Sequence, residues 1–514
     1  MYDFVFFTDV TSVTVNFKAI GAYKCAHVLR LHGYTCLVVD HLHSFTYEEF
    51  VKCIELSVGP NTKAVGFSTT FLRDVSTRRD LDWYRPSEAI EDIIPPIPFG
   101  NIFPQGIDFE TNVLNFIKSH NQQCKIIIGG LNTSPGHKNK FIDYVFIGFS
   151  EMSIVNFADH LTTGIKLTNS FKNPWGVTII KDKEAVGYDF KNSSFAWEKS
   201  DVLNAAVLPI EIARGCIFKC KFCSYQMNGK KNLDFIRDSN LIYEELQSNF
   251  DKFGISNYYI IDDTFNDSDV KLDAMLMAIK KLSFKPLFWA YIRLDLIARD
   301  VSSFQKLYDI GLRACFFGIE TLHPPTGRIV GKGYSREKQI SAIKHIREKY
   351  PDVLMHGSFI IGLPGETMES CTQTFFEIST QNIPLHSFTF GVLHLDDASL
   401  VTWSSELTVN FDEYGYKKLP NAVNQKGINW RNAYTTREEA AALAAKFNAA
   451  ALTLPKISLS GHMIWGVLDF FNNYMDISKL SINDIDWNNL QKKKMEFVAT
   501  YKQQLFNLLQ ITSE

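Results

Sequence analysis

Short apolar runs alternate with amphipathic stretches along most of the chain. In the first 165 residues, five such runs have the length and composition of buried strands, with helical patterns between several of them. These runs are residues 3–8, 35–40, 64–68, 125–128 and 144–147. Because strands that alternate with helices usually pair in parallel, this part predicts an open, doubly wound α/β sheet.

A second alternating series covers residues 207–398. Its apolar runs predict six strands, at residues 209–213, 258–261, 287–292, 313–319, 356–361 and 387–392. Six β-α units are too few to close an eight-stranded barrel, so the pattern predicts a partial (β/α)6 TIM-like barrel. In such a barrel the chemistry collects at the carboxyl ends of the strands.

The rest of the chain is less regular. Residues 166–206 form a polar connector with a possible hairpin, and residues 399–514 predict a mostly helical region that covers the substrate. Within the first unit, residues 72–108 are rich in proline and charge and predict a long excursion on the ligand-facing side. The predicted organisation is therefore 1–165, 166–206, 207–398 and 399–514.

Charge and cysteine content narrow the function classes. With 53 basic and 56 acidic residues the net charge is −3, and without a long basic run we do not expect a nucleic-acid partner. The chain shows no secretion signal and no apolar run of about 20 residues, which predicts a cytoplasmic protein without a membrane partner. Nine cysteines in that setting indicate reduced thiols.

Three of those cysteines carry the strongest functional signal. Cys216, Cys220 and Cys223 form a CxxxCxxC pattern directly after the first barrel strand. Three thiolates can hold three irons of a [4Fe–4S] cluster, which leaves the fourth iron open to another ligand. A zinc loop is the alternative, but zinc normally takes a fourth protein ligand, and no histidine or second cysteine pair follows nearby.

Polar or glycine residues end the other barrel strands. Asp262 and Asp263 place two carboxylates at one strand tip, where they can receive an ammonium group or cap the next helix. Arg293 can pair with a ligand carboxylate or with a neighbouring acid. Glu320 ends another strand, and Gly362 lets the backbone approach a flat ligand closely.

Together these residues resemble the radical S-adenosylmethionine (SAM) superfamily. The cysteine loop matches the cluster motif of the family, and the strand-end segments look like the barrel motifs of its cobalamin-binding branch. The resemblance implies that the methionyl amine of SAM meets Asp262 and that its carboxylate meets Arg293. The SAM contacts implied by the resemblance are Phe222, Asp262, Arg293, Glu320 and Gly362.

The first sheet supports the same branch. Residues 66–70 and 127–134 are similar to the segments that cradle the nucleotide tail of cobalamin. The implied cobalamin contacts are Ser68, Thr69, Gly129, Gly130 and Thr133. The Asp-x-His-x-x-Gly motif that supplies a histidine to cobalt in other cobalamin proteins is missing, because Asp9, Thr11 and Thr14 stand at its key positions.

The resemblance implies an enzyme that uses a [4Fe–4S] cluster, SAM, cobalamin and an electron donor such as flavodoxin or ferredoxin. The expected reaction methylates an unactivated carbon of a small molecule or peptide through a 5′-deoxyadenosyl radical. One alternative is epimerisation or rearrangement without methyl transfer, in which Cys315 or Cys371 returns a hydrogen atom. The other is a non-catalytic iron–sulfur sensor or scaffold.

Overall fold

The computed structural model describes most of the chain. The described residues are 1–9, 18–42, 45–69, 109–130, 133, 135–136, 139–182, 185–203, 207–225, 227–333, 335–396, 403–420, 427–450, 454 and 487–513. The predicted excursion at residues 72–108 lies outside them.

The amino-terminal part folds around a seven-stranded sheet. Its strands are β1 (Phe4–Phe7), β2 (Cys36–Val39), β3 (Ala64–Ser68), β4 (Lys125–Gly129), β5 (Tyr144–Gly148), β6 (Ser170–Lys172) and β7 (Thr178–Asp182). The order is β2-β1-β3-β4-β5-β7-β6, and every pair is parallel except the β6–β7 hairpin. The doubly wound sheet is thus confirmed, and the hairpin of the predicted connector extends it. The strand order reverses at β1 and β3, where such sheets bind ligands at the carboxyl edge.

Helices cover both faces of this sheet. They are α1 (Ile20–Leu31), α2 (Tyr47–Ser57), α3 (Asn115–His120), which follows a π-helical turn (Phe109–Leu114), and α4 (Glu151–Thr163). α1 and α4 pack on one face, and α2 and α3 pack on the other. The start of α2 is fixed locally, because Thr46 and Glu49 form a capping box.

The second sheet is a partial barrel. Its strands are β8 (Val207–Ile210), β9 (Asn257–Ile260), β10 (Leu287–Ile292), β11 (Leu312–Glu320), β12 (Leu354–Ile361) and β13 (Ser387–Val392). They pair in parallel and in sequence order, which confirms the predicted open (β/α)6 arrangement. Its helices are α5 (Ser239–Phe253), α6 (Asp269–Ile279), α7 (Leu294–Ile297), a 3-10 turn (Val301–Ser303), α8 (Phe304–Ile310), α9 (Pro324–Val330), α10 (Arg336–Lys349) and α11 (Met368–Ser379).

Alternate residues of the barrel strands point to two different environments. On β11, Cys315 and Phe317 belong to the core under the helices, whereas Ala314 and Phe316 face the inside of the barrel. Ala19 of the first unit packs against this inner face. The inner face of the barrel therefore meets the first unit directly.

The carboxyl-terminal region contacts both sheets. It contains α12 (Glu406–Val409), the antiparallel pair β14 (Lys417–Leu419) and β15 (Asn429–Arg431), α13 (Arg437–Ala450) and α14 (Trp487–Ser513). α13 packs on β13, and α14 returns to α2, where the hydroxyl of Tyr501 accepts the Asp40 N–H at 2.8 Å. Among the helices of the described residues, none is long and apolar enough to cross a membrane.

Candidate cofactor site

A buried carboxylate anchors the start of the cysteine loop. The Asp262 Oδ1 atom accepts the backbone N–H groups of Ile212 and Ala213 at 2.9 and 3.0 Å, and its Oδ2 atom lies 3.3 Å from Lys271 Nζ. Lys271 also pairs with Asp267 at 2.6 Å. The end of the first barrel strand is therefore bound to a side chain, which explains why β8 ends at Ile210 instead of residue 213.

This anchoring role is what the structure shows for Asp262, and its predicted contact with the amine of SAM stays a prediction. Asp262 is 1% exposed, and two backbone amides and a lysine already surround its carboxylate. The adjacent Asp263 is partly exposed. Burial, together with the charge of Asp262, raises the pKa of Asp263 to about 7.

Each sulfur of the cysteine triad is near one N–H donor. The backbone N–H of Phe218 points to Cys216 Sγ at 3.4 Å, and Asn228 Nδ2 lies 3.3 Å from Cys223 Sγ. The donor to Cys220 Sγ is Arg293 Nη1, at 3.2 Å. Burial raises the pKa of Cys216, and it raises that of Cys223 to about 11.

This arrangement fits a thiolate-bound cluster. N–H groups directed at sulfur stabilise thiolate and sulfide charge, and a bound metal deprotonates thiols whose pKa is high. Within the described part of the chain, no three Cys, His, Asp or Glu side chains converge on one ion.

The loop holds its shape through backbone contacts. The N–H of Cys216 donates to Met227 O at 3.3 Å, and the N–H of Gly229 donates to Phe218 O at 3.1 Å. Gly215 has a φ of +76°, and a Cβ there would collide with the carbonyl of Met227. Only glycine fits this position. Within the loop Phe222 is partly exposed and packs against the main core, and its predicted SAM contact stays a prediction.

Arg293, at the end of β10, lies beside the loop. Its guanidinium binds Asp295 through two hydrogen bonds of 2.9 and 2.6 Å, donates to Gly331 O at 2.9 Å and lies 3.9 Å from the ring centre of Phe218. Together with the bond to Cys220, these contacts use four of its five N–H donors. One Nη1 hydrogen remains for the predicted SAM carboxylate.

Glu320 sits at a strained position at the end of β11. Its φ is +64°, a conformation that is costly for a residue with a side chain and is concentrated at functional sites. Its carboxylate folds back over Gly318 and lies 3.5 Å from Lys332 Nζ, which also donates to Gly318 O at 2.8 Å. Burial raises the pKa of Glu320, and the Lys332 charge opposes that effect.

The structure places Gly362 against the carboxyl-terminal region. This residue has a φ of +96° and does admit a flat group, but the group is the indole of Trp430. The Gly362 carbonyl accepts hydrogen bonds from the hydroxyl of Tyr416 at 2.6 Å and from Asn432 Nδ2 at 3.3 Å. The carboxyl-terminal region therefore packs on one side of Gly362, whose predicted SAM contact stays a prediction.

The position of Cys315 does not fit its predicted role as a hydrogen donor. It points into the core under the helices, opposite to the inner-face residues Ala314 and Phe316, and burial raises its pKa well above the ordinary value. A hydrogen donor has to reach the substrate, so the prediction for Cys315 is wrong. Cys371 on α11 is likewise buried in that core.

A polar and aromatic row on the inner face was missed by the sequence analysis. Tyr291, Phe316, His356 and Ser387 are register neighbours on four successive strands. The rings of Tyr291 and Phe316 lie 5.0 Å apart, those of Phe316 and His356 lie 4.6 Å apart, and His356 Nδ1 is 2.7 Å from Ser387 Oγ. The sequence shows that side chains alternate between the two faces of each strand, but this alternation does not indicate which face lies inside the barrel.

The predicted cobalamin residues meet at the carboxyl edge of the first sheet. Ser68 pairs with Gly129 across β3 and β4, and Thr69 bonds the Gly129 carbonyl through both its N–H and its hydroxyl. The Thr133 hydroxyl donates to Gly130 O at 2.8 Å. These residues therefore form one edge beside the switch point, where both threonine hydroxyls shape the turns.

Comparison with known proteins agrees with this arrangement. Residues 210–378 match the model of the radical SAM superfamily. An uncharacterised methyltransferase of Pyrococcus horikoshii is 29% identical over 179 residues, which cover 35% of this chain and 38% of that protein. The tRNA-2-methylthio-N(6)-dimethylallyladenosine synthase of Buchnera aphidicola subsp. Cinara cedri is 24% identical over 247 residues, 44% of this chain and 53% of that protein. The chain thus spans about half or less of these relatives.

Two solved structures share the fold. The radical SAM methyltransferase TsrM from Kitasatospora setae, with cobalamin and a [4Fe–4S] cluster bound, is 13% identical with a TM-score of 0.62, over 98% of this chain and 100% of that chain. The cobalamin-dependent enzyme OxsB, with aqua-cobalamin and SAM bound, is 13% identical with a TM-score of 0.53, over 80% of this chain and 56% of that chain. Residues 210–378 are thus similar to the radical SAM superfamily, and the chain shares the two-sheet fold of these two cobalamin-binding enzymes.

Proposed function

We propose that this protein is an enzyme that methylates an unactivated carbon of a small molecule or peptide, using a [4Fe–4S] cluster, SAM and cobalamin. The observation that carries the proposal is the triad itself. Three sulfurs, each with its own N–H donor, lie at the carboxyl end of β8, in a barrel whose inner face meets the first unit. The names of the similar proteins, two of them methyltransferases, support this reaction.

Bound together, the three cofactors supply a radical that abstracts hydrogen from carbon and a methyl group to replace it. The chain supplies position and protection. Cys216, Cys220 and Cys223 would hold three irons, with the loop fixed from below by Asp262. The aromatic inner face excludes water, and the edge formed by Ser68, Gly129 and Gly130 would hold cobalamin.

The remaining functional assignments belong to the same proposal. Because the side chains of Cys315 and Cys371 pack among the helices, we do not assign them a hydrogen-transfer role. The cluster would take its electron from flavodoxin or ferredoxin in the cytoplasm.

Anaerobic reconstitution tests the proposal. The loaded protein should contain four irons and four sulfides per chain, and under strong reductant with SAM it should form 5′-deoxyadenosine. With cobalamin and substrate present, S-adenosylhomocysteine should form as well. Replacing the triad by alanine should abolish cluster and products, whereas Cys124→Ala, at a buried thiol of the first sheet, should leave them intact. An intact cluster that never cleaves SAM would favour the sensor alternative.

A further inference from the structure

The three cysteines of the triad differ in the charge of their N–H donors. Cys216 faces a backbone amide and Cys223 faces the neutral side chain of Asn228. Cys220 faces the guanidinium of Arg293, at 3.2 Å. Among these three donors, the Arg293 guanidinium is the one that carries a charge. The Cys220 corner of the cluster site therefore lies beside a fixed positive charge.

The position of that charge is closely determined. Asp295 holds the guanidinium with two hydrogen bonds, the Gly331 carbonyl takes a third, and the ring of Phe218 lies 3.9 Å beneath it. Arg293 is 4% exposed, so water screens its charge weakly. A rigid, desolvated cation of this kind acts on a neighbouring metal centre far more strongly than a surface lysine does.

The chemical consequence follows from the electron count. Reducing a cluster adds one negative charge, and hydrogen bonds to its sulfurs together with nearby positive charge stabilise the reduced form. Asp295 works in the opposite direction, because its carboxylate disfavours added negative charge while it holds the arginine in place. At the Cys220 corner, Arg293 therefore favours the reduced cluster and Asp295 disfavours it.

We propose that Arg293 is a positioning residue that raises the reduction potential of the cluster through its hydrogen bond to Cys220, and that Asp295 limits that rise. The proposal rests on the proposed function in so far as it needs the triad to hold a cluster. It concerns one ligand of that cluster and makes no assumption about the substrate.

The test is a redox titration of the reconstituted protein without SAM, followed by electron paramagnetic resonance. In Arg293→Gln, the ratio of reduced to oxidised cluster at a fixed ambient potential should fall at least tenfold, which is a shift of about 59 mV for one electron. In Asp295→Asn the ratio should rise. Arg293→Lys, which keeps the charge without the fork, should lie between Arg293→Gln and the wild type.

Arg313→Gln is the matched control. Like Arg293, Arg313 stacks on a ring, that of Tyr308 at 3.9 Å, and pairs with an acid, Asp352 at 3.0 Å. It lies at the amino end of β11, whereas the site lies at the carboxyl ends of the barrel strands. The ratio of reduced to oxidised cluster in Arg313→Gln should equal that of the wild type. Equal ratios in Arg293→Gln and the wild type, at equal iron content, would overturn the proposal.

If Arg293→Gln assembles no cluster, the Asp295→Asn titration decides, and an unchanged or lowered ratio there refutes the proposal. A wild-type protein that holds no cluster would instead refute the proposed function, which keeps the two failures distinct.

Discussion

The indole of Trp430 lies against Gly362 and fills the space that any side chain at position 362 would need. Trp430 comes from the carboxyl-terminal hairpin and is fully buried, with its Nε1–H donating to Leu393 O at 3.0 Å. The contact joins the barrel to the region that follows it. Gly362 is therefore a packing site between two parts of the chain.

Gly362→Ala should destabilise the protein. The φ of +96° is strained for alanine and the new methyl group would overlap the indole, so we expect a loss of about 2 to 4 kcal/mol in the free energy of unfolding. Urea denaturation measures it. Gly391→Ala is the control, since a Cβ there meets its nearest atom at an ordinary 3.7 Å. Equal stability of both variants would contradict the packing role.

Asp262→Asn should loosen the cysteine loop. The change removes the charge that faces Lys271 and weakens the acceptor for two backbone amides, with an expected cost of about 2 to 4 kcal/mol. Iron retained per chain after reconstitution should fall. Asp263→Asn, at the partly exposed neighbour, should retain wild-type iron and should not lose stability, because burial already disfavours the charge of Asp263. If Asp262→Asn binds iron as well as the wild type, the anchor is not needed.

Glu366 predicts a specific pH dependence. It is buried and accepts a hydrogen bond from Thr321 Oγ1 at 2.7 Å, and burial raises its pKa to about 7 against the opposing charge of Arg336. Between the ordinary value of 4.5 and 7, the folded state holds a proton that the unfolded state has lost. The free energy of unfolding therefore falls as pH rises through this window.

The size of the effect is bounded by about 1.4 kcal/mol for each pH unit, or up to about 3 kcal/mol in total. Glu366→Gln keeps the shape and the bond to Thr321 but has no proton to lose. Unfolding curves from pH 4.5 to 7.5 should therefore show the wild type losing stability relative to this variant. Glu369→Gln, at an exposed position of the helix α11 that follows, is the control and should track the wild type.

Glu151→Gln should weaken the contact between the two sheets. Glu151 begins α4 and pairs with Arg214, the residue two before Cys216, while Glu211 pairs with both Arg214 and Lys24. Because Glu211 would still hold the arginine, we expect a loss of about 2 to 4 kcal/mol. Thermal unfolding measures it. Glu198→Gln is the control, as that carboxylate is 55% exposed opposite Arg30, and it should change stability by less than about 0.5 kcal/mol.

Much of the fold was predictable because the spacing of apolar residues along the chain differs between helices and strands. All five strands predicted in the first unit and all six in the barrel are present, since an apolar run between helical patterns has few other stable arrangements. The cysteine triad was equally local, with three ligands in eight residues. What the sequence could not predict was the surroundings of single residues. The sequence could not show that Asp262 is occupied by Ile212 and Ala213, which lie some 50 positions earlier.

The sequence by itself determined the α/β class, the two successive sheets and the loop that would hold the cluster, because local periodicity and short spacing encode them. Only the tertiary structure decided which side chains are free to meet a ligand. Asp262 and Gly362 are occupied by other parts of the chain, Cys315 faces the helices, and Arg293 faces a sulfur. The physical reason is that the contacts of a buried polar group or a glycine are made by residues distant in sequence, which only the folded chain brings close.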